Sequence, residues 1–559
     1  MRFRLITLLA LIFLFQNLAL ASHLSRPKVS DYLQAKVSDS ISDYKSTIKF
    51  YQKLHKHNPR DTVIINKLLM VSILDGDLLN ANAYAFRLAN VSCSPSITTS
   101  CVKKQSDISH LVNGISYLNS YKYDLADQSF SNILNGQLSS KTFVALLKAW
   151  VWVNKNYLER SMGELDTIGS NEDLYLALVH KALIYDYVDQ TDVALIYYEQ
   201  AMEMQRDLYV LNMYYNFLKR NNFSNRINSF QDSYLKNYDT DFQKKFLNGN
   251  RNRILQNPLH GLGIVLFNAQ GILDLTNLDL AHVLYQLSIE TSPNLHEIKY
   301  VFSSFLNQLQ EHKKARQILK QIPKTHYLSN YATIQISDSY GYQDDNASAI
   351  SNLINHLQND SNFEISLSLG NYYRYEKEWE KALSAYNNAL IIGEEFNKKD
   401  LWEIYFNIGI VYERSDKWDL AEVNFTKALN ISSEQADVLN YLAYSYIDKG
   451  INLAESKNMI EKALMLKPND PYIVDSLAWY YYKIGEYEEA LSILEFSMEI
   501  MPYDSTVNDH YGDILWKLGK EIEARYYWKK AINLDKENIY SCLLYTSDAA
   551  DEEDSVDLG

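Results

Sequence analysis

The sequence predicts an all-α fold, a solenoid of stacked helix hairpins. Three observations carry that expectation. Turn-forming residues are scarce, with 9 Pro and 18 Gly in 559 residues, which disfavours an all-β protein built on tight turns. No Pro/Gly/Ser-rich linker divides a chain that is too long for one ordinary core. A pattern of small, bulky, small and proline residues recurs at a fixed interval, the mark of a repeat array. With 47% apolar and 22% charged residues, the composition is that of a folded chain.

The repeat is clearest in "YEEALSILEFSMEIMP", where the pattern is Ala490, Leu494, Ser497 and Pro502. Thirty-four residues on lie Ala524, Trp528 and Ala531; thirty-four back lie Ser456, Ile460, Ala463 and Pro468. Ala421/Phe425/Ala428, Ala382/Tyr386/Ala389, Ala315/Leu319/Pro323, Ala281/Tyr285/Pro293, Ala194/Tyr198/Ala201 and Ala126/Phe130 keep the pattern upstream. Weaker copies fall near Ala349, Arg226, Ser161, Ala81 and Thr47. Each copy reads as two amphipathic helices. The first helix carries Leu477-Ala478-x-x-Tyr481 in one unit and Tyr511-Gly512-x-x-Leu515 in the next, so small and large residues share one face; the small one lets the two helices approach and the large one fills the gap beside it. Gly485 and Gly519 end first helices, and Pro468 or Pro502 ends a second. Neither helix can bury its apolar stripe alone, so neighbouring pairs must stack.

This pattern is identified as the tetratricopeptide repeat. The resemblance implies a right-handed α-solenoid of about twelve to fourteen units over most of 40–540. The expected organisation is a signal peptide at 1–21, a degenerate N-terminal array at 22–230 and an irregular joint at 231–260. A C-terminal array at 261–540 and a non-native tail at 541–559 complete it. "WEIYFNIGIVYERSDKWDLAEVNFTKAL", "VLNYLAYSYIDKGINLAESKNMIEKAL", "YIVDSLAWYYYKIGEYEEAL" and "VNDHYGDILWKLGKEIEARYYWKKAI" are similar to the C-terminal half of exported tetratricopeptide proteins of alphaproteobacteria. Their wider group includes outer-membrane lipoproteins that serve as adaptors for a periplasmic carboxy-terminal processing protease. This chain lacks the lipidated cysteine of those lipoproteins.

The two ends carry their own signals. "MRFRLITLLALIFLFQNLALAS" has Arg2 and Arg4, an apolar run and Ala19-Leu20-Ala21, which predicts export with cleavage before Ser22. Gln16 and Asn17 shorten the apolar run below the ~20 residues of a spanning helix. At the other end "CLLYTSDAADEE" resembles the translation of a sequencing-library adapter, so 541–559 is read as a scar and the natural gene is expected to continue past Tyr540. Leaving out the six acids of the tail and the two arginines of the leader takes the formal charge from −15 to −11. An acidic chain argues against nucleic acid and anionic lipid as partners. Cys93 and Cys101 flank a Ser/Thr/Pro loop, and in an exported protein they suggest a local disulfide, with two free thiols as the alternative. Their lone C-x7-C spacing lacks the paired pattern of a metal site.

A search for chemistry finds little. No GxSxG, HExxH, P-loop or paired CxxC occurs. "HGLGIVL" at 260–266 starts like a dinucleotide loop but has Leu266 at the third glycine position, and "LHEIK" at 295–299 reads as a helix start. His510 reads as a packed or capping residue. The expectation is therefore no enzyme, no cofactor and no metal. In the tetratricopeptide family the second, fifth, ninth, twelfth and thirteenth positions of each first helix line the concave face. The resemblance places Tyr375, Phe406, Asn440, Tyr444, Asp475, Trp479, Tyr482, Asp509, Asp513 and Trp516 there, with Asn440, Asp475 and Trp479 at the centre. Rings, amides and carboxylates together suit an extended peptide with basic side chains. The Lys/Asn/Lys/Arg set that clamps a terminal carboxylate in some cytosolic members is missing. The expected function is a periplasmic scaffold or adaptor for other envelope proteins, including a processing protease. A scaffold of polysaccharide secretion is the alternative, and a repeat-bearing glycosyltransferase a more distant one.

Overall fold

Local rules place the helices. Asp470 accepts from the Tyr472 and Ile473 amides and Pro471 follows it, so the donors exposed at that helix start are met and the φ of the next residue is preset. Asn362 and Asp504 cap two other first helices through the amides of Ile365 and Val507. At the far end Gly485 adopts φ +88° and its amide returns to the Tyr481 and Tyr482 carbonyls, closing the helix in a left-handed turn. The computed structural model describes residues 26–534 apart from 93–105, 135, 154–156, 170, 237, 239, 250–252, 274–276, 359–361, 396–397 and 399. The leader, the Cys93–Cys101 loop and the 541–559 tail lie outside the described residues.

Among the described residues the backbone forms α-helices, one short π-helical turn and no strand. In chain order the helices are α1 (Arg26–Ser40), α2 (Tyr44–His57), α3 (Thr62–Leu74), α4 (Leu78–Ser92), α5 (Asp107–Asn119), α6 (Tyr123–Ser131), α7 (Lys141–Val151), α8 (Leu158–Asp166), α9 (Asn171–Tyr187), α10 (Thr191–Met204), α11 (Leu208–Arg220), α12 (Ser224–Phe230) and α13 (Thr240–Leu247). They continue as α14 (Pro258–Ile272), α15 (Leu278–Thr291), α16 (His296–Gln308), α17 (His312–Leu319), α18 (Ser329–Gly341) and α19 (Asn346–Leu357). The last ten are α20 (Phe363–Tyr375), α21 (Trp379–Glu395), α22 (Trp402–Arg414), α23 (Trp418–Ile431), α24 (Ala436–Lys449), α25 (Leu453–Leu466), α26 (Pro471–Ile484), α27 (Tyr487–Ile500), α28 (Ser505–Lys517) and α29 (Glu521–Leu534). Apart from α13 they run as successive pairs, the α-solenoid architecture that the repeat predicts. The chain divides into two compact units, Met1–Asn352 and Leu353–Gly559.

Within each pair, size complementarity sets the approach of the two helices. A Cβ on Gly370 would lie 2.4 Å from the Tyr386 ring, one on Gly409 would lie 2.5 Å from Phe425, and one on Gly512 would lie 2.6 Å from Trp528. Where the first helix carries Ala443 or Ala478 instead, the facing residue is the smaller Ile460 or Leu494. Glycine therefore accompanies an aromatic knob and alanine an aliphatic one, so the gap stays filled at constant spacing.

The first unit departs from nearest-neighbour stacking. Helix α14 packs chiefly on α7 and also on α5 and α9, while its partner α15 packs on α3. All four are first helices of their pairs, so the chain's own α14–α15 hairpin covers part of the first-helix side of this unit. Gly261 of α14 sits beneath Trp150 of α7, where a Cβ would be 2.1 Å from the indole. Longer ties join the same regions: the Tyr44 hydroxyl donates to Glu311 at 2.6 Å and Lys314 donates to the Leu74 carbonyl at 2.6 Å. The 231–260 segment, expected to be an irregular joint, lies inside this unit. It contains a π-helical turn at Gln231–Leu235 and helix α13, whose Phe242 and Phe246 pack against Tyr327 with centroids 5.1 and 4.7 Å apart.

Candidate peptide-binding groove

Three consecutive first helices of the second unit, α24, α26 and α28, carry the densest part of the expected groove. Positions five and nine of a helix lie one turn apart on one face. This puts Asn440 and Tyr444 together on α24, Asp475 and Trp479 on α26, and Asp509 and Asp513 on α28. His510 is the hub that joins them. Its Nδ1 lies 3.0 and 3.1 Å from the two Asp475 oxygens, and its Nε2 faces the Tyr444 hydroxyl at 3.4 Å. The imidazole also stacks on Trp479 at 4.1 Å and 15°, and Trp479 stacks in turn on Tyr482 at 4.6 Å and 10°.

The electrostatics are those of buried acids around one imidazole. Burial disfavours the charged form of His510, but the facing Asp475, with Asp513 and Asp509 nearby, outweighs it and holds the pKa above its ordinary value. Asp509 is pushed up to about 6, first by burial and then by the Asp513 charge. Burial also raises Asp513, whose carboxylate accepts from the Trp528 indole at 2.9 Å. The Tyr444 and Tyr482 hydroxyls are raised by burial and then by Asp475 and Asp513 respectively, so both stay protonated donors. Lys483 lies 4.9 Å from the Trp479 ring.

Three polar atoms of the cluster are buried without a hydrogen-bond partner: Asn440 Oδ1, Trp479 Nε1 and Asp509 Oδ1. One falls on each of the three helices. Buried polar atoms are normally satisfied, so two acceptors and one donor without partners set this cluster apart.

Of the ten expected positions, the structure gathers Asn440, Tyr444, Asp475, Trp479, Tyr482, Asp509 and Asp513 into this region. The other three it places differently. Tyr375 is 72% exposed at the end of α20. Phe406 packs on Phe425 and Tyr441, and Trp516 packs on Trp528 at 5.4 Å, so both serve contacts within or between helix pairs. Trp479 is only 7% exposed and braces the site through its stacking partners, rather than offering the largest open face. His510, expected as a packed residue, is buried and packed on Trp479, and it was left out of the groove set because it stands at the sixth position of α28, one beside that set. The signal was its distance of 35 residues from Asp475, about one repeat, which brings two first-helix residues side by side.

The glycines of "HGLGIVL" hold no phosphate loop. They lie inside α14, Gly261 under Trp150 and Gly263 against Ser292 and Thr291. "LHEIK" is the start of α16. Among the described residues no group of three or more His, Cys, Asp or Glu is set to hold a metal, and no helix is long and apolar enough to cross a membrane.

Comparison with known proteins gives tetratricopeptide matches at two places. Family models described as tetratricopeptide repeat match residues 362–434 and 175–208. A tetratricopeptide repeat-containing protein of Pseudomonas aeruginosa, PA4667, is 30% identical over 148 residues, covering 26% of this chain and 23% of that protein. Anaphase-promoting complex subunit 3 of Schizosaccharomyces pombe is 20% identical over 275 residues, covering 49% of this chain and 40% of that one. The chain thus spans less than half the length of these relatives. Among solved structures, the Cut9–Hcn1 hetero-tetramer of the anaphase-promoting complex aligns over 95% of this chain and 97% of its own, at 14% identity and a TM-score of 0.39. Tetratricopeptide repeats are therefore found in both units of the chain.

Proposed function

We propose that this chain is an exported, non-catalytic scaffold that recruits other envelope proteins, and that the α24–α26–α28 face holds an extended, basic segment of its partner. The observation that carries the reading is the set of unpartnered polar atoms on Asn440, Trp479 and Asp509 within an acidic and aromatic cluster, which a peptide backbone or a basic side chain would complete on a modest rearrangement. In the first unit α14 and α15 cover part of the first-helix side, which favours the second as the place for a partner. Export rests on the leader at 1–21, and a processing protease fits the resemblance of the C-terminal repeats.

The test is capture from a periplasmic extract followed by mass spectrometry, with Asn440→Ala and Asp509→Asn as comparisons. Both variants should fold, since neither side chain is fully buried. Each should weaken recovery of a specific envelope protein several-fold, about 1 kcal/mol per lost hydrogen bond. Equal recovery by wild type and both variants defeats the groove; recovery of only cytoplasmic proteins defeats the location.

Binding should also depend on pH. Asp509, raised to about 6, is neutral below that value and charged above it. A lysine-rich peptide should therefore bind more tightly at pH 7 than at pH 5, and in Asp509→Asn the difference should shrink. Titrations at constant ionic strength give the answer, and an unchanged affinity across the range counts against Asp509 as a contact.

A further inference from the structure

Among the openings of the first unit, one lies beside the C-terminal part of α14. A cavity of about 450 Å³ lies where the C-terminal part of α14 meets α9, α11 and α16. That is the size of small-molecule sites. Its walls include Tyr175, Tyr209, Phe267 and Tyr300, and its only ionisable groups besides tyrosines are Asp207 and Glu297; no lysine, arginine or histidine lines it. Tyr209 and Phe267 meet at 90° with centroids 5.6 Å apart, forming a corner of two ring systems. The Tyr209 hydroxyl is tied back by the Asn268 amide at 2.8 Å, which fixes that ring.

Glu297 makes the cavity selective. It stands in the first turn of α16, where the helix dipole favours a negative charge. Its Oε1 accepts from Asn212 at 2.9 Å and from the Tyr327 hydroxyl, whereas Oε2 is buried without a partner. The side chain is 4% exposed, burial raises its pKa, and His296 is the one imidazole whose charge acts on it among the causes of that shift. A carboxylate so placed is costly unless a cation reaches it, and ring faces attract the same kind of ligand. Two acids would repel an anion from the same walls.

We propose that this cavity binds an alkylammonium group, held against Tyr209 and Phe267 and facing the carboxyl of Glu297. The group belongs either to a small organic cation or to a lysine side chain, and two probes separate these sources. The full-length chain is titrated calorimetrically with choline chloride and with N-acetyl-lysine methylamide, sodium chloride keeping the ionic strength constant. Saturable millimolar or tighter binding of choline alone assigns a small-molecule site, and binding of the lysine derivative assigns a protein side chain. Glu297→Gln keeps an acceptor for Asn212 and Tyr327 but removes the charge, and should weaken binding about tenfold. Phe267→Leu keeps apolar bulk but removes a ring face, and serves if the first variant fails to fold. Weakening in either folded variant supports the site. Failure of both probes to saturate, or unchanged affinity in both variants, overturns it. The site shares no residue with the α24–α26–α28 groove, so the two readings stand or fall separately.

Discussion

At the scale of single residues, two of the buried histidines, His180 and His510, are tuned in opposite directions. His180 accepts from the Trp150 indole at 2.9 Å and is fully buried, which lowers its pKa to about 3. A histidine lowered in the folded state stabilises the fold above its unfolded pKa of 6.5, and that contribution is lost as pH falls from there toward 3. At pH 5 the loss amounts to about 2 kcal/mol. In His180→Gln the amide can still accept from Trp150 but does not titrate. Denaturation at pH 7 and pH 5 should therefore cost wild type about 2 kcal/mol more than the variant; an equal drop in both rules the account out. Left-handed turn residues give a second residue-scale expectation. Gln310 sits exposed at φ +63°, a conformation that Gly76, Gly450, Gly485 and Gly519 take up in the equivalent turns. Gln310→Gly should raise stability by about 0.5–1 kcal/mol, the relief of the Cβ penalty less the added chain entropy. Thermal melting decides, and a lower melting temperature means the glutamine makes an offsetting contact. The glycine turns were legible in the sequence. Gln310, Asp416 and Tyr121 in the same conformation were not, because only the closing of the two helices forces them there.

At the scale of elements, the glycine–aromatic and alanine–aliphatic pairing explains why the repeat tolerates a varied consensus. Gly409→Ala drives a Cβ into the Phe425 ring, within a core where neither helix can retreat without disturbing the next pair. The expected cost is about 1–3 kcal/mol of overpacking. Adding Phe425→Leu recreates the Ala478–Leu494 combination found one unit along from Ala443–Ile460. The double variant should recover part of the loss, so its destabilisation should be less than the sum of the two single changes. Strict additivity in chemical denaturation would mean that the two positions do not share a gap. The small residues of the repeat pointed to close approach of the two helices, while the pairing of Gly409 with Phe425 across the hairpin is set by the folded packing. Helix α14 is apolar all round because it is covered on several sides by α5, α7, α9 and α15, and Gly261 and Gly263, already set apart from a dinucleotide loop by Leu266, serve that packing.

At the scale of the whole molecule, the two units use the same repeat for different ends. In the first, the α14–α15 hairpin packs on several first helices and an aromatic cavity lies beside α14; the second carries an acidic, aromatic cluster with buried, unpartnered polar atoms. By itself, the sequence determined the α-solenoid, the pairing of helices and a few of their ends, such as Gly485. All of these follow from periodicity and from contacts within about one repeat, where residue spacing translates directly into geometry. Only the tertiary structure decided that His510 is the hub of the site, that Trp479 is enclosed, and that Phe406 and Trp516 serve packing. It alone also brought α14 onto α7 and Glu297 to the cavity. Those outcomes depend on which side chain fills a space shared by several helices, and on segments more than a hundred residues apart meeting, as Trp150 meets Gly261. A spacing rule carries no information on either, because the competition is settled by volume and burial in the folded state.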